Sequence, residues 1–212
     1  MYSGSNTVLA RNESWSSSAD VAGLQAAFSS VGAFSLLADS KDAALLVSLS
    51  TGAYTALVTS GDGTEGLALV EIYDADSSDS GPRLVNLSAR GHVGTGDYVL
   101  TPGLVIGSGS LRLLIRAVGP GLKQFGVSGT VEKPTISVFS GTTTVAINTG
   151  WSNSLYSADI AAAAARVGAF SLASGSDDSA TLITLAAGAY TVQVSGVGET
   201  TGEALVEIYV VP

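Results

Sequence analysis

The sequence contains one passage twice, and this repetition constrains the fold more than any other feature. The stretch GAYTALVTSGDGTEGLALVEIY at residues 52–73 returns as GAYTVQVSGVGETTGEALVEIY at residues 188–209. The two copies align without gaps from residues 15–73 to residues 151–209, and about half of the aligned residues are identical. Such similarity over this length indicates an internal duplication.

The residues between the two copies occur only once and divide the chain into three parts. We define the first B half as residues 1–77, the A half as residues 83–137 and the second B half as residues 138–212. A polar, turn-rich linker is predicted at residues 78–82. The A half and the second B half together form one complete repeat module, residues 83–212, and the first B half is a partial repeat.

The hydrophobic pattern predicts strands in both kinds of half. Apolar and polar residues alternate in GAYTVQV and EALVEIYVV, and we expect about four strands in each B half. The A half adds four candidates, RLVNLSARG, DYVLTPGLVIGSG, LRLLIRAVGPGL and PTISVF. Ala-rich segments after Ser18 and Ser157 predict one short helix per B half, with these serines as N-caps. The sequence therefore predicts a mainly β fold, an antiparallel β-sandwich (immunoglobulin-like or jelly-roll-like) with a short Ala-rich helix in each repeat.

One A half for two B halves leaves a B half without a partner. Four strands alone would leave an apolar face uncovered and strand edges unpaired. Three completions are open: the same A half serves both neighbours, the helix folds back as a lid, or the A half of another chain takes the place.

Charge separates the A half from the rest of the chain. The A half has six basic and two acidic residues, a net charge of +4, within a chain of net charge −9, which leaves −13 for the remainder. This difference favours contacts between A and B halves, within or between molecules, over contacts between two B halves. The alternative is that these arginines are scattered, solvated side chains. The candidate subunit-contact charges are Arg83, Arg90, Arg112 and Arg116. A net negative chain argues against a nucleic-acid partner.

The sequence offers little for catalysis. It has no cysteine, and His92 is the only histidine, with no GxSxG motif to present a serine beside it. Glu71 and Glu207 recur at the same place in both copies, which fits a structural role in a strand better than a unique active site. We therefore predict a protein that is not an enzyme and that uses no cofactor, with calcium as the one open ligand.

Acidic loops and tryptophans give the remaining candidate sites. Calcium prefers clustered oxygen ligands, which three acidic loops supply, the third at Asp177 and Asp178, although none matches an EF-hand. The alternative is that these loops are solvated turns. The weak calcium candidates are Asp62, Glu65, Asp74, Asp76 and Asp79. Trp15 and Trp151 precede the predicted helices; they are either covers of the core or, if exposed, platforms for a sugar ring.

The chain shows no membrane segment. No run approaches the roughly 18 apolar residues that a spanning helix needs, and the first residues lack the features of a signal peptide. The sequence therefore predicts a soluble mature chain, or an excised part of a longer protein, that does not insert into membranes.

Several motifs together resemble a known type of repeat. RLVNLSARG, VGTGD, LLIRAVGPGLKQFGVSG, VGAFSL, GAYTVQVSGVG and ALVEIY follow one another with a Trp before VGAFSL. This series resembles the tandem repeat modules near the ends of large secreted or surface proteins of environmental bacteria, and the likeness covers nearly the whole chain. The resemblance implies an extracellular or cell-surface β repeat and supplies no catalytic residues.

These observations predict a non-catalytic structural module. We expect a cell-surface or fibre subunit that associates head to tail, with strands of an identical subunit or a neighbouring repeat completing the spare B half. One alternative is a carbohydrate-binding or adhesive module of a larger secreted protein, with a polysaccharide as partner. The other alternative is a passive spacer repeat.

Overall fold

The computed structural model describes residues 1–4, 7–76 and 83–212. The predicted linker at residues 78–82 lies outside these ranges. The chain divides into two compact units, Met1–Leu84 and Val85–Pro212. The second unit spans nearly the same residues as the predicted complete module.

The first unit has little regular structure. In chain order its strands are β1 (Tyr2–Ser3), β2 (Thr7–Val8) and β3 (Tyr54–Thr55), and its helices are a 3₁₀ turn (Trp15–Ser17) and α1 (Val21–Val31). The three strands form a small antiparallel sheet in the order β2-β1-β3. Turns and irregular backbone occupy residues 35–53 and 56–76. The expectation of about four full strands in the first B half therefore differs from what the described residues form.

The second unit is built on one antiparallel sheet. Its strands are β4 (Asn86–Val93), β5 (Gly103–Val118), β6 (Pro134–Ser140), β7 (Thr143–Thr149), β8 (Ser179–Gly196) and β9 (Gly202–Val210). Its helices are α2 (Ser157–Arg166) and 3₁₀ turns at Gly96–Tyr98, Pro120–Phe125, Trp151–Asn153 and Val197–Glu199. The strand order is β4-β9-β5-β8-β6-β7. The prediction of a mainly β, antiparallel sandwich-type fold with one short helix per repeat is confirmed.

Two long strands, β5 and β8, form the middle of this sheet. β5 and β8 pair along nearly their whole length, with a register shift between Ile106 and Ser110. Gly109 has a φ of +67°, a conformation that side-chain-bearing residues rarely adopt, and a bulge of this kind bends the strands. The sequence predicts two separate strands where the structure has β5, and likewise two where it has β8. The structure joins them because each long strand supports the other across the bend.

The main core draws on both halves of the module. It consists of buried aliphatic side chains, chiefly Leu113, Ile115 and Ala117 from β5, Ile136 and Val138 from β6, Val192 and Val194 from β8, and Ala204, Val206 and Ile208 from β9. Burial of one such side chain contributes about 1.5–3 kcal/mol. The A half therefore supplies much of the apolar surface that stabilises the second B half.

Helix α2 covers the outer face of the sheet. Its buried residues Ile160 and Ala163 belong to a second cluster with Leu114, Trp151 and Ala180. Leu114 points to this face because successive side chains of a strand alternate between faces. The helix therefore covers the second face of β5 and β8.

The helix ends correct two predictions. Asp20, and not Ser18, is the N-cap of α1, and its carboxylate accepts a hydrogen bond of 2.8 Å from the amide of Gly23. Ser157 is the first residue of α2, after Tyr156 as N-cap. In the described part of the chain no helix is both long enough and apolar enough to cross a bilayer.

Candidate interaction surface

A buried ion pair joins the A half to the second B half. Arg116 on β5 is fully buried, and its Nε atom lies 3.0 Å from Oε2 of Glu207 on β9. The guanidinium also donates a 2.7 Å hydrogen bond to the carbonyl of Phe170 and lies 4.3 Å from the centre of that ring. Burial lowers the pKa of Arg116, and the charge of Glu207 opposes this shift. The strand thus places one cation of the A half against a carboxylate and a ring of the B half.

A second polar contact follows β5 directly. The buried carboxylate of Asp178 accepts hydrogen bonds from the amides of Gly119 (2.9 Å) and Gly121 (3.0 Å), in the sequence Gly-Pro-Gly. A Cβ atom at Gly121 would lie 3.0 Å from the Asp178 carboxylate and 2.8 Å from Val118, so the close approach of this turn requires glycine. Hydrogen bonds to a carboxylate are among the stronger ones in proteins.

Both strands that pair with β9 belong to the A half. Strand β9 pairs with β4 on one side and with β5 on the other. Strand β8 pairs with β5 and with β6, which begins in the A half and ends in the second B half. The A half is therefore the source of most strand pairing in this part of the module.

The first B half carries the counterparts of all three A-contacting residues. Phe34, Asp42 and Glu71 align with Phe170, Asp178 and Glu207, at a constant offset of 136 positions. All three are exposed, and 57% of the Phe34 surface is accessible. The described residues of this unit therefore present the counterparts of the B-half contact set as exposed side chains.

The local hydrogen bonds of the first B half are nevertheless those of the second. The amide of Trp15 donates to the carbonyl of Asp42 at 2.8 Å, as that of Trp151 donates to Asp178 at 2.8 Å. The Tyr73 hydroxyl donates to Glu71 at 3.1 Å, and the Tyr209 hydroxyl donates to Glu207 at 2.6 Å. The amide of Ala44 bonds the side chain of Asn12 at 3.1 Å, and their counterparts Ala180 and Asn148 are 3.0 Å apart. The copies thus share these local hydrogen bonds, while the long strands and the contacts with the A half are found in the second copy.

Apolar residues that face the core in the second copy are exposed in the first. The accessible fractions are 55% for Val58 against 0% for Val194, 52% for Val70 against 1% for Val206, and 48% for Ile72 against 8% for Ile208. Exposed apolar residues concentrated in two segments are typical of interaction sites. We name residues 42–49 and 66–73, with Phe34 and Val58, the open B surface.

The structure places both tryptophans in the interior. Trp15 and Trp151 are 4% and 8% exposed, and their indole N–H groups donate to the carbonyls of Leu37 (2.9 Å) and Ala173 (3.2 Å). Neither ring offers a face to a sugar. The interpretation as core covers agrees with this burial, and the sugar-stacking alternative does not.

The four candidate contact arginines have different environments. Arg116 is an internal residue of the module and not a subunit contact of a folded neighbour, which corrects that prediction. Arg90 is exposed, 4.0 Å from Glu203, a carboxylate that also lies 3.6 Å from His92. Arg112 and Arg83 are exposed as well. These three stay predictions as subunit contacts.

The calcium candidates do not converge. Asp62 accepts hydrogen bonds from Ser60 and Thr64, which hold the pKa of this carboxyl well below its usual range. The Asp74 carboxylate accepts the amide of Asp76, Glu65 is exposed, and Asp79 lies outside the described residues. Within the residues that the structure describes, no three His, Cys, Asp or Glu side chains are grouped so that they could hold a metal ion.

Sequence reasoning missed the partners of the repeated acids. It noted that Glu71 and Glu207 recur but did not pair either with an arginine. The available signal was Arg116 within the apolar run LRLLIRAV, because a charged residue facing the interior of a strand pair needs an opposite charge. The Gly-Pro-Gly turn that follows was the second signal.

Comparisons with known proteins identify a fold likeness only. No protein-family model and no curated protein matches the chain. Among solved structures, the chain is similar to the pre-peptidase C-terminal domain of collagenase from Bacillus anthracis. The two are 10% identical with a TM-score of 0.36, over 58% of this chain and 89% of that one.

Proposed function

We propose that the chain is a non-catalytic structural module of an extracellular or cell-surface assembly. In this proposal it associates head to tail with identical subunits or neighbouring repeats, and strands added to the first B half hold the assembly together. The observation that carries the proposal is the open B surface, where residues that the second copy buries beneath the A half are exposed.

Strand addition would gain two kinds of interaction at once. It would pair the backbone of residues 66–73, whose counterparts in β9 have a neighbour on both sides, and it would bury apolar side chains such as Val70 and Ile72. Main-chain hydrogen bonds then provide affinity, and alternate side chains provide specificity.

An identical subunit has an edge that can take part. Among the strands of the described residues, β4 stands at one end of the strand order and pairs with β9 alone. Unpaired backbone along such an edge strand is a template for a further strand. A head-to-tail series follows if residues 66–73 of one subunit add to β4 of the next, since each subunit has one donor and one acceptor.

The test is the mass of the purified chain by light scattering, with negative-stain microscopy of the same sample. We expect species larger than the 21.1 kDa monomer that persist in high salt. Assemblies that dissolve in salt would assign the association to charge alone, because salt screens exposed charges. A strict monomer would contradict self-association.

A matched pair of variants identifies the surface responsible. Val70→Lys places a charge in the open B surface and should shift the mass toward the monomer. Leu37→Lys is the control, since Leu37 is 79% exposed and its counterpart Ala173 is also exposed in the complete module. Equal effects of both substitutions would contradict a role of the open B surface.

A further inference from the structure

We infer that the open B surface is a receptor for one kind of strand, an A-half segment in which an arginine is followed by a Gly-Pro-Gly turn. The inference deepens the proposed function, on which it rests, by stating the chemistry of the partner. The occupant we assign is an A half of a further repeat that is not already paired with a B half of its own.

The second copy shows what such an occupant must contain. There, one strand delivers a cation to Glu207 and Phe170, and the two glycine amides after it reach Asp178. The first copy repeats each recipient, as Glu71, Phe34 and Asp42, at the same spacing in the sequence. The occupant must therefore carry an arginine and a Gly-Pro-Gly turn at a fixed separation along one strand. A strand that is merely apolar would not meet this requirement.

The local contacts of the acceptors are already made. The Tyr73 hydroxyl bonds Glu71, and the carbonyl of Asp42 bonds the amide of Trp15, as their counterparts do beneath the A half. Side chains and backbone held in this way lose less freedom on binding. The first copy therefore already makes these local contacts of a complete module, although its residues 56–76 are not yet in strands.

Charge makes this surface selective. A strand without a cation would bury Glu71 and Asp42 without an opposite charge, which is strongly unfavourable. The second copy avoids this cost because Arg116 is present between β8 and β9. The carboxylates of Glu71 and Asp42 therefore disfavour the binding of a strand that has no cation.

A second copy of this chain is a poor donor of this particular strand, although its edge strand β4 can still pair with residues 66–73. Its own β5 is already paired with β8 on one side and β9 on the other. To donate that strand it must open its own Arg116–Glu207 pair, so one module is lost for each one gained. An A half without a B half of its own gains the whole interaction.

The experiment adds a synthetic peptide of residues 103–122, which contains β5 and the turn, to the full chain. Hydrogen exchange is followed in residues 68–73 and, as an internal reference, in residues 204–209. We expect the peptide to slow exchange in residues 68–73 by at least about tenfold and to leave residues 204–209 unchanged. No protection of residues 68–73 at any peptide concentration would overturn the inference.

Two matched controls test the chemistry. An Arg116→Met peptide should bind at least about tenfold more weakly, whereas an Arg112→Met peptide, altered at the exposed arginine of the same strand, should bind as the native one does. On the chain, Glu71→Gln should weaken binding and Glu65→Gln should not. Equal binding of all peptides would show non-selective strand addition and refute the receptor.

The outcome separates this inference from the proposed function. A chain that is monomeric by light scattering and binds the peptide selectively supports the receptor while contradicting self-association. An oligomer that shows no selectivity between the peptides supports self-association and contradicts the receptor. Slow exchange of residues 68–73 in the free chain that becomes fast on dilution would make a second copy the occupant and overturn the assignment made here.

Discussion

The two B halves show how far one sequence pattern can lead to two structures. In the second copy, residues 204–209 form the middle of strand β9, between two strands of the A half. In the first copy, the identical ALVEIY at residues 68–73 has no assigned strand and is exposed. The residues are the same, so the difference lies in their neighbours. A strand's stability comes from cross-strand partners and buried faces more than from its own propensity.

The largest expected contrast concerns the repeated glutamate. Glu207→Ala leaves the buried Arg116 without its carboxylate, and loss of one partner of a buried pair costs about 3–5 kcal/mol. We expect the free energy of unfolding of the second unit, measured by chemical denaturation, to fall by this amount. The measured signal is the fluorescence of Trp151 in a Trp15→Phe background.

The matched control for this prediction is Glu71→Ala in the first copy. Glu71 is exposed, so its removal should leave both units as stable as before. A loss of stability from Glu71→Ala comparable to that from Glu207→Ala would mean that the first copy already holds a cation in the same place, and the contrast between the copies would disappear.

A smaller contrast is expected from one aligned leucine. Leu185 is 5% exposed in the main core, and Leu185→Ala should destabilise the second unit by about 3 kcal/mol through lost burial and the cavity left behind. Leu49, its counterpart, is 38% exposed, and Leu49→Ala should cost clearly less. Thermal unfolding of the two variants side by side measures the difference. Equal shifts in Tm would show that the first copy has an equivalent core.

Much of the second unit follows from the sequence because its signals are local. Alternating apolar residues indicate β4, β6 and β9, and the Ala-rich segment indicates α2. The joining of two predicted strands into β5 was not predictable in this way, because it depends on pairing with β8 across the bulge at Gly109. Local pattern identifies a strand but not how far its partner extends it.

The state of the first B half shows the other limit of sequence reasoning. The count of one A half for two B halves predicts a half without a partner, but its strand-like pattern is as good as that of the second copy. Val58 and Val70 occupy positions whose apolar pattern predicts burial in a core, but both side chains are exposed. A periodic pattern reports a capacity to pair, and the pairing itself depends on residues far away in the chain.

The smallest expected contrast concerns pH and the tyrosine that ends the repeated ALVEIY. Burial and the hydrogen bond to Glu207 raise the pKa of Tyr209 above its ordinary value of 10.0. Below pH 10 the phenol is protonated in the folded and the unfolded chain, and the contribution is fully present. Above it, the unfolded chain releases the proton first, so the stability of the second unit falls as the pH rises.

Substitution by phenylalanine isolates this effect in each copy. Tyr209→Phe removes the titrating group, so the second unit of this variant should lose less stability than the native chain between pH 9 and pH 11, on either side of the ordinary value of 10.0. The pKa of Tyr73 is raised as well, but this residue lies in an unpaired segment whose surroundings change less on unfolding. Tyr73→Phe should therefore flatten the pH dependence less than Tyr209→Phe does until an A-half strand is bound. If both substitutions flattened the pH dependence equally in the free chain, the Tyr73–Glu71 pair would already be buried, and the open B surface would be closed by something other than an A half.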